Sequence, residues 1–118
     1  RTGSITRTIT GPDDGSRFVD DSLSYCHKAP LGKASAPFPL TGYQFVFKPG
    51  TLDHGYHNAP QKQFVLNLTS GMAVETSDGE TREFHPGDIF LGGDTTGQGH
   101  KTRALDGQPR LGIFAHLK

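Results

Sequence analysis

"QFVLNLTSGMAVETSDGETREFHPGDIFLGG", residues 63 to 93, is the stretch whose reading decides the fold. Short apolar runs alternate in it with turn formers, and none is long enough to make a helix of useful length. "QFVLNL" reads as the longest apolar strand of the chain, and Ser70-Gly71 turns it into "MAVETS". Asp78-Gly79 is the strongest two-residue hairpin signal, because both positions tolerate positive φ, and it folds "ETREFH" back on "AVETS". Pro86-Gly87-Asp88 then turns the chain into "IFLGG".

The same punctuation extends outward in both directions. The 16 glycines and 8 prolines fall at short intervals and do not pool in one linker. "SITRTIT" alternates apolar and polar positions, "GPDDGS" supplies a turn, and "RFVDD" follows. The segment from Cys26 to Pro39, with three prolines, reads as an irregular surface connection. "YQFVFK" is a strand stopped by Pro49-Gly50, and "HKTRAL" and "RLGIFAHL" are the last two. In "YQFVFK" Phe45 and Phe47 share one face with Tyr43 and, with Phe64 and Phe90, most of these aromatics read as core, while Tyr43 and Tyr56 are the two with a polar tip that could reach a substrate. Helix is limited to one or two turns. Many short strands in one chain must close or cover their edges, so residues 1–118 read as a single all-β domain, a β-barrel or two packed sheets.

The bulk numbers narrow the partners. Lys plus Arg and Asp plus Glu are 12 each, so no net field steers nucleic acid or an anionic membrane to the surface, and a small molecule is the expected ligand. The single Cys26 makes no internal disulfide, and no apolar run spans a membrane, which together favour the reducing cytoplasm. Asn67-Leu68-Thr69 matches a glycosylation acceptor pattern, but it lies inside an expected strand and carries no weight. "GSITRTIT" is an amphipathic strand at the start of the chain, and an uncovered edge of that kind predicts a homodimer.

"GGDTTGQGHKT", residues 92 to 102, has the look of a phosphate loop and is not one. His100 separates Gly99 from Lys101, and the following "RALDGQPR" does not continue a helix. The stretch is a turn that delivers a histidine. "PGTLDHGYHNAPQKQFVLNLTSG" (49–71) resembles the first motif of the cupins, and "PGDIFLGGDTTGQGH" (86–100) resembles their second. Gly50 opens the first block and Gly71 closes it; Pro86-Gly87-Asp88 matches the turn, and Gly97-Gln98-Gly99-His100 the second histidine site. The resemblance covers about half of the chain, with a cupin core expected over about 41–118 and an N-terminal strand and connection over 1–40. It implies a double-stranded β-helix, or jelly roll, with a pocket.

It also implies a site. The paired histidines of the first motif are here His54 and His57, three apart, which places the rings on opposite faces of an extended strand; His57 is the one expected inward. Gln63 occupies the place of the family's glutamate. The resemblance therefore implies a divalent transition metal, Zn, Fe, Mn, Ni or Cu, held by His57, Gln63 and His100, the amide being a weaker donor than a carboxylate. The imidazole nitrogens of His57 and His100 are expected about 3 to 5 Å apart.

Asp94 is a candidate catalytic acid that orients the His100 ring or acts as a base, and Tyr56 a candidate proton mover. His116 shares a strand face with Phe114 and is either a third imidazole or an ordinary strand histidine, while His27 and His85 read as surface. No nucleophile elbow occurs, and Cys26 has no catalytic setting. The expected activity is a metal-assisted or acid/base enzyme that rearranges, eliminates from or oxygenates a small polar molecule. The alternative is a metal-free, non-catalytic module that holds a metabolite.

Overall fold

The computed structural model describes residues 4–51 and 53–118. Their strands are β1 (Ser4–Thr10), β2 (Ser16–Ser22), β3 (His27–Ala29), β4 (Gly32–Ala34), β5 (Leu40–Lys48), β6 (Asp53–His57), β7 (Gln63–Asn67), β8 (Met72–Thr76), β9 (Thr81–Phe84), β10 (Phe90–Gly92), β11 (His100–Ala104) and β12 (Arg110–Leu117). Among the described residues a single 3-10 turn, Leu105–Gly107, is the helical content. The turn chemistry places the breaks. Gly79 at φ 91° and Gly87 at φ 98° supply the left-handed backbone that closes β8 on β9 and leads toward β10.

Two sheets carry the domain. One has six strands in the order β2-β1-β10-β7-β12-β5, and the other has four in the order β6-β11-β8-β9. Their facing sides meet in a core of Phe18, Val65, Met72, Val74, Phe84 and Phe90, drawn from both sheets. The protein is thus an all-β sandwich. Among the described residues no strand pairing joins the sheet edges, so the barrel alternative is not formed.

Three sequence expectations are corrected. The strand at the start of the chain is not an open edge: β1 pairs antiparallel with β2 and parallel with β10, so the argument from that edge for a dimer fails. The segment from Cys26 to Pro39 is not wholly irregular, because β3 and β4 pair as a small hairpin of their own. Tyr43, Phe45 and Phe47 are not core, being 63%, 66% and 69% exposed. Alternation shows that they share a face, and the same alternation is equally consistent with that face lying outside.

Candidate functional site

A cavity of about 280 Å³ lies between the two sheets. It is lined by His54, His57 and His100 from the four-stranded sheet and by Gln63, Arg110 and His116 from the six-stranded one. Val65, Met72, Phe90 and Phe114 supply an apolar wall. At about 30 Å³ for a liquid water, the space holds roughly nine waters or one small metabolite.

The long-range pairing of β1 with β10 builds the first half of the site. It sets Thr8 opposite Gly92 and so beside the turn that follows β10. Asp94, on that turn, is fully buried; its Oδ1 accepts from the Thr8 hydroxyl at 2.7 Å, and its Oδ2 accepts from His100 Nδ1 at 2.6 Å. A carboxylate only accepts, so Nδ1 of His100 carries the proton and Nε2 is left unengaged. The loop is clamped around this pair. Asn58 Nδ2 donates to Gly97 O at 2.9 Å, Ala59 N to Asp94 O at 3.1 Å, and the Ser16 hydroxyl to Gly99 O at 2.5 Å.

His57 is the register partner of His100 across β6 and β11, and the two ring centroids are 4.6 Å apart with planes at 56°. His57 Nδ1 donates to Gly55 O at 2.8 Å, which leaves its Nε2 lone pair unengaged as well. His54 corrects the sequence reading. His100 pairs with His57 and Thr102 with His54, so between these pairs two residues of β6, Gly55 and Tyr56, oppose one of β11, Lys101. That extra residue is a β-bulge, which shifts the alternation by one and returns His54 to the face that His57 occupies. The His54 and His57 rings consequently stack, centroids 3.7 Å apart and planes 8° from parallel.

The stacking decides what the imidazoles hold together. A metal lies in the plane of each coordinating ring, about 2.0–2.1 Å from the nitrogen. Two nearly parallel, stacked ring planes with centroids 3.7 Å apart share no such point, so His54 and His57 as arranged do not converge on one ion. Among the described residues no group of three His, Cys, Asp or Glu side chains forms a metal-binding cluster. The planes of His57 and His100 do cross, and Gln63 Oε1 is buried without a hydrogen-bond partner. The three-imidazole set does not fit a metal in this arrangement.

Tyr56 lies elsewhere. It is on the outer face of the four-stranded sheet, where its hydroxyl donates to Glu75 Oε2 at 3.1 Å and the Lys101 ammonium stands over its ring. Tyr56 is therefore not among the residues that line the cavity. His116 does line the cavity; its Nε2 donates to Gln44 Oε1 at 3.0 Å, and its Nδ1 is buried and unpaired. His27 and His85 are exposed.

Two cationic lining residues were not singled out in the sequence, Lys48 and Arg110. The signal was present. Arg110 is in phase with Phe114 and His116 along β12, and Lys48 with Gln44 along β5, so a pocket placed on the His116 face brings both cations with it.

Burial, then the neighbouring His100 and His54 rings, push His57 below its ordinary value, partly offset by the Gly55 carbonyl. Well above 6.5 the ring is neutral folded or unfolded, and the shift has no consequence for stability. As pH falls through 6.5 toward the lower folded value, the unfolded chain takes the proton first and stability is lost. Thermal unfolding from about pH 7.5 to about pH 5 is expected to flatten in this window for His57→Gln. Equal slopes in the two proteins would show that burial does not disfavour the His57 cation.

No protein-family model matches the chain, and no curated protein does. Among solved structures, the crystal structure of protein NMB1881 from Neisseria meningitidis is similar, with a TM-score of 0.51 and 19% sequence identity over 66% of this chain and 76% of that one. At that identity the likeness speaks to the β-sandwich fold alone.

Proposed function

We propose that this protein is a cupin-type pocket enzyme that moves protons at a small polar molecule. One observation carries the reading: His100, its Nδ1 held by the buried Asp94 carboxylate, lines the same cavity as His57, whose own Nδ1 is held by Gly55. Both rings keep Nε2 for a ligand. His57, biased toward its neutral form, is suited to take a proton. His100 is suited to carry one, because Asp94 stabilises the imidazolium that forms. Proton removal and return at neighbouring atoms is the chemistry of an isomerase or a lyase.

The test is solvent-deuterium incorporation, followed by NMR, into a panel of small carbonyl and hydroxy compounds. Exchange at one position is expected, slowed on the order of 100-fold or more in His57→Gln and in His100→Gln. A compound that binds in the cavity without exchange would favour the non-catalytic module. A second reading, a divalent transition metal at His57, Gln63 and His100, is supported by the buried and unpaired Gln63 Oε1. Metal analysis of protein purified without an affinity tag or chelator separates it from the first.

The homodimer is proposed on a different surface from β1. Tyr43, Phe45 and Phe47 of β5 stand on the outer face of the six-stranded sheet, and Phe38, Leu40 and Leu68 are also more than 40% exposed. At about 150–250 Å² for a whole aromatic side chain, the exposed parts of these residues amount to roughly 600–700 Å² per protomer. A standard interface buries about 800 Å² per partner, so a second copy on this face has nearly the area that it needs. Sedimentation at micromolar concentration is expected to give twice the 12.7 kDa chain mass, and Phe45→Glu to restore the monomer. Monomeric wild-type protein would remove the proposal.

A further inference from the structure

The end of the cavity away from His116 holds a charge that no other described residue answers. Arg110 on β12 is 4% exposed, its Nη1 is buried without a hydrogen-bond partner, and among the described residues no carboxylate pairs with it. Its register partner on β5 is Lys48, a second cation lining the same space, with its ammonium 5.5 Å from the Phe114 ring centroid. Burial pulls the Arg110 guanidinium below its ordinary value, and burial followed by the Arg110 charge does the same to Lys48. A buried cation beside a half-buried one, with no anion, opposes folding. A ligand anion between them reverses both costs.

The other end has the opposite deficiency. His116 Nδ1 and Gln63 Oε1, on register partners of β12 and β7, are buried acceptors without a donor. Arg110 and His116 are six residues apart on one strand, about 20 Å between Cα atoms at the usual rise, and their side chains reach into the space between. An occupant that answers both ends is elongated, anionic at one end and a hydrogen-bond donor at the other. The planar guanidinium fork matches a carboxylate in two parallel hydrogen bonds, and the apolar wall of Val65 and Phe114 suits a hydrocarbon spacer.

We infer that the cavity binds a small hydroxycarboxylate, its carboxylate on Arg110 and Lys48 and its single hydroxyl proton donated to one of the two acceptors, Gln63 Oε1 or His116 Nδ1. This rests on the pocket reading above and names the class of its ligand.

Three matched probes test it: 6-hydroxyhexanoate, hexanoate and 1,6-hexanediol, titrated at equal ionic strength with binding read from NMR chemical shifts and thermal unfolding. Wild-type protein is expected to bind both carboxylates at least about tenfold more tightly than the diol, and the hydroxycarboxylate more tightly than hexanoate. Arg110→Met is expected to abolish that preference and, with no ligand present, to raise the unfolding temperature by about 3–10 °C, because an unanswered buried charge is gone. Lys48→Gln, a milder change, is expected to weaken carboxylate binding several-fold. His100→Gln is expected to keep carboxylate binding whether or not it loses proton exchange, so the anion site and the acid–base reading fail separately. Equal binding of diol and carboxylates, carboxylate binding that survives in Arg110→Met, or a fall in that variant's unfolding temperature would each overturn the inference.

Discussion

Replacing Asp94 by alanine is expected to lower stability by about 3–5 kcal/mol, because two buried donors lose their acceptor. The value follows from what is left behind. Thr8 is fully buried and donates its hydroxyl to Oδ1, and His100, 5% exposed, donates Nδ1–H to Oδ2. Without the carboxylate both donors are stranded, and each stranded group costs about 1–3 kcal/mol. For a chain of this size the unfolding temperature should drop by roughly 10–20 °C. Asp94→Asn separates the structural role from the chemical one. The amide fills the same space and still accepts from Thr8, but it presents an N–H to His100, which drives the ring proton from Nδ1 to Nε2. The lone pair is then withdrawn from the cavity. A tautomer reversed in this way costs on the order of 10⁴-fold in a histidine-dependent reaction. Nitrogen-15 NMR of the imidazoles reads the tautomer without a substrate; an unchanged His100 spectrum in Asp94→Asn would show that Asp94 does not control that ring.

Gly99→Ala is the second large effect. Gly99 sits at φ 75°, and a Cβ there would lie 2.2 Å from the His57 carbonyl oxygen, 2.4 Å from its carbon and 2.9 Å from Asn58 N. All three atoms are backbone, so no side chain can swing aside. A left-handed non-glycine residue alone costs about 1–2 kcal/mol. The collision adds to this by forcing β6 away from β11, and the total should exceed about 3 kcal/mol. Because the atoms struck belong to His57, the separation of the His57 and His100 rings, now 4.6 Å, should widen. Gly79→Ala is the matched comparison. It has φ 91° with nothing within 4 Å of the added carbon, so only the backbone term of about 1–2 kcal/mol applies. If the two alanine variants unfold at the same temperature, close packing of Gly99 on His57 is not what holds the site together.

Much of the architecture was legible because it is local. A strand ends where Gly or Pro cannot continue the ladder, so Asp78-Gly79, Pro86-Gly87 and Pro49-Gly50 mark real breaks beside β8, β10 and β5. The chain from Gln63 to Gly92 therefore folds into strands close to where its turn residues put them. The resemblance of the two histidine blocks to cupin motifs pointed to His57, Gln63 and His100, and these three line one cavity.

The sequence by itself determined the strand class, the turns and the pair of histidine-bearing segments, because those properties depend on residues within a few positions of each other. Only the tertiary structure decided which face of each strand is inside. Alternation has two equivalent phases, and in β5 the apolar phase of Tyr43, Phe45 and Phe47 faces out while Lys48 lines the cavity with Arg110. The bulge that brings His54 beside His57 was hidden for a related reason: one added residue reverses parity, and it exists only relative to the partner strand β11. The contact of Asp94 with Thr8 joins residues 86 positions apart. No local pattern encodes it. It forms because β1 pairs with β10, a choice made by the packing of two whole sheets.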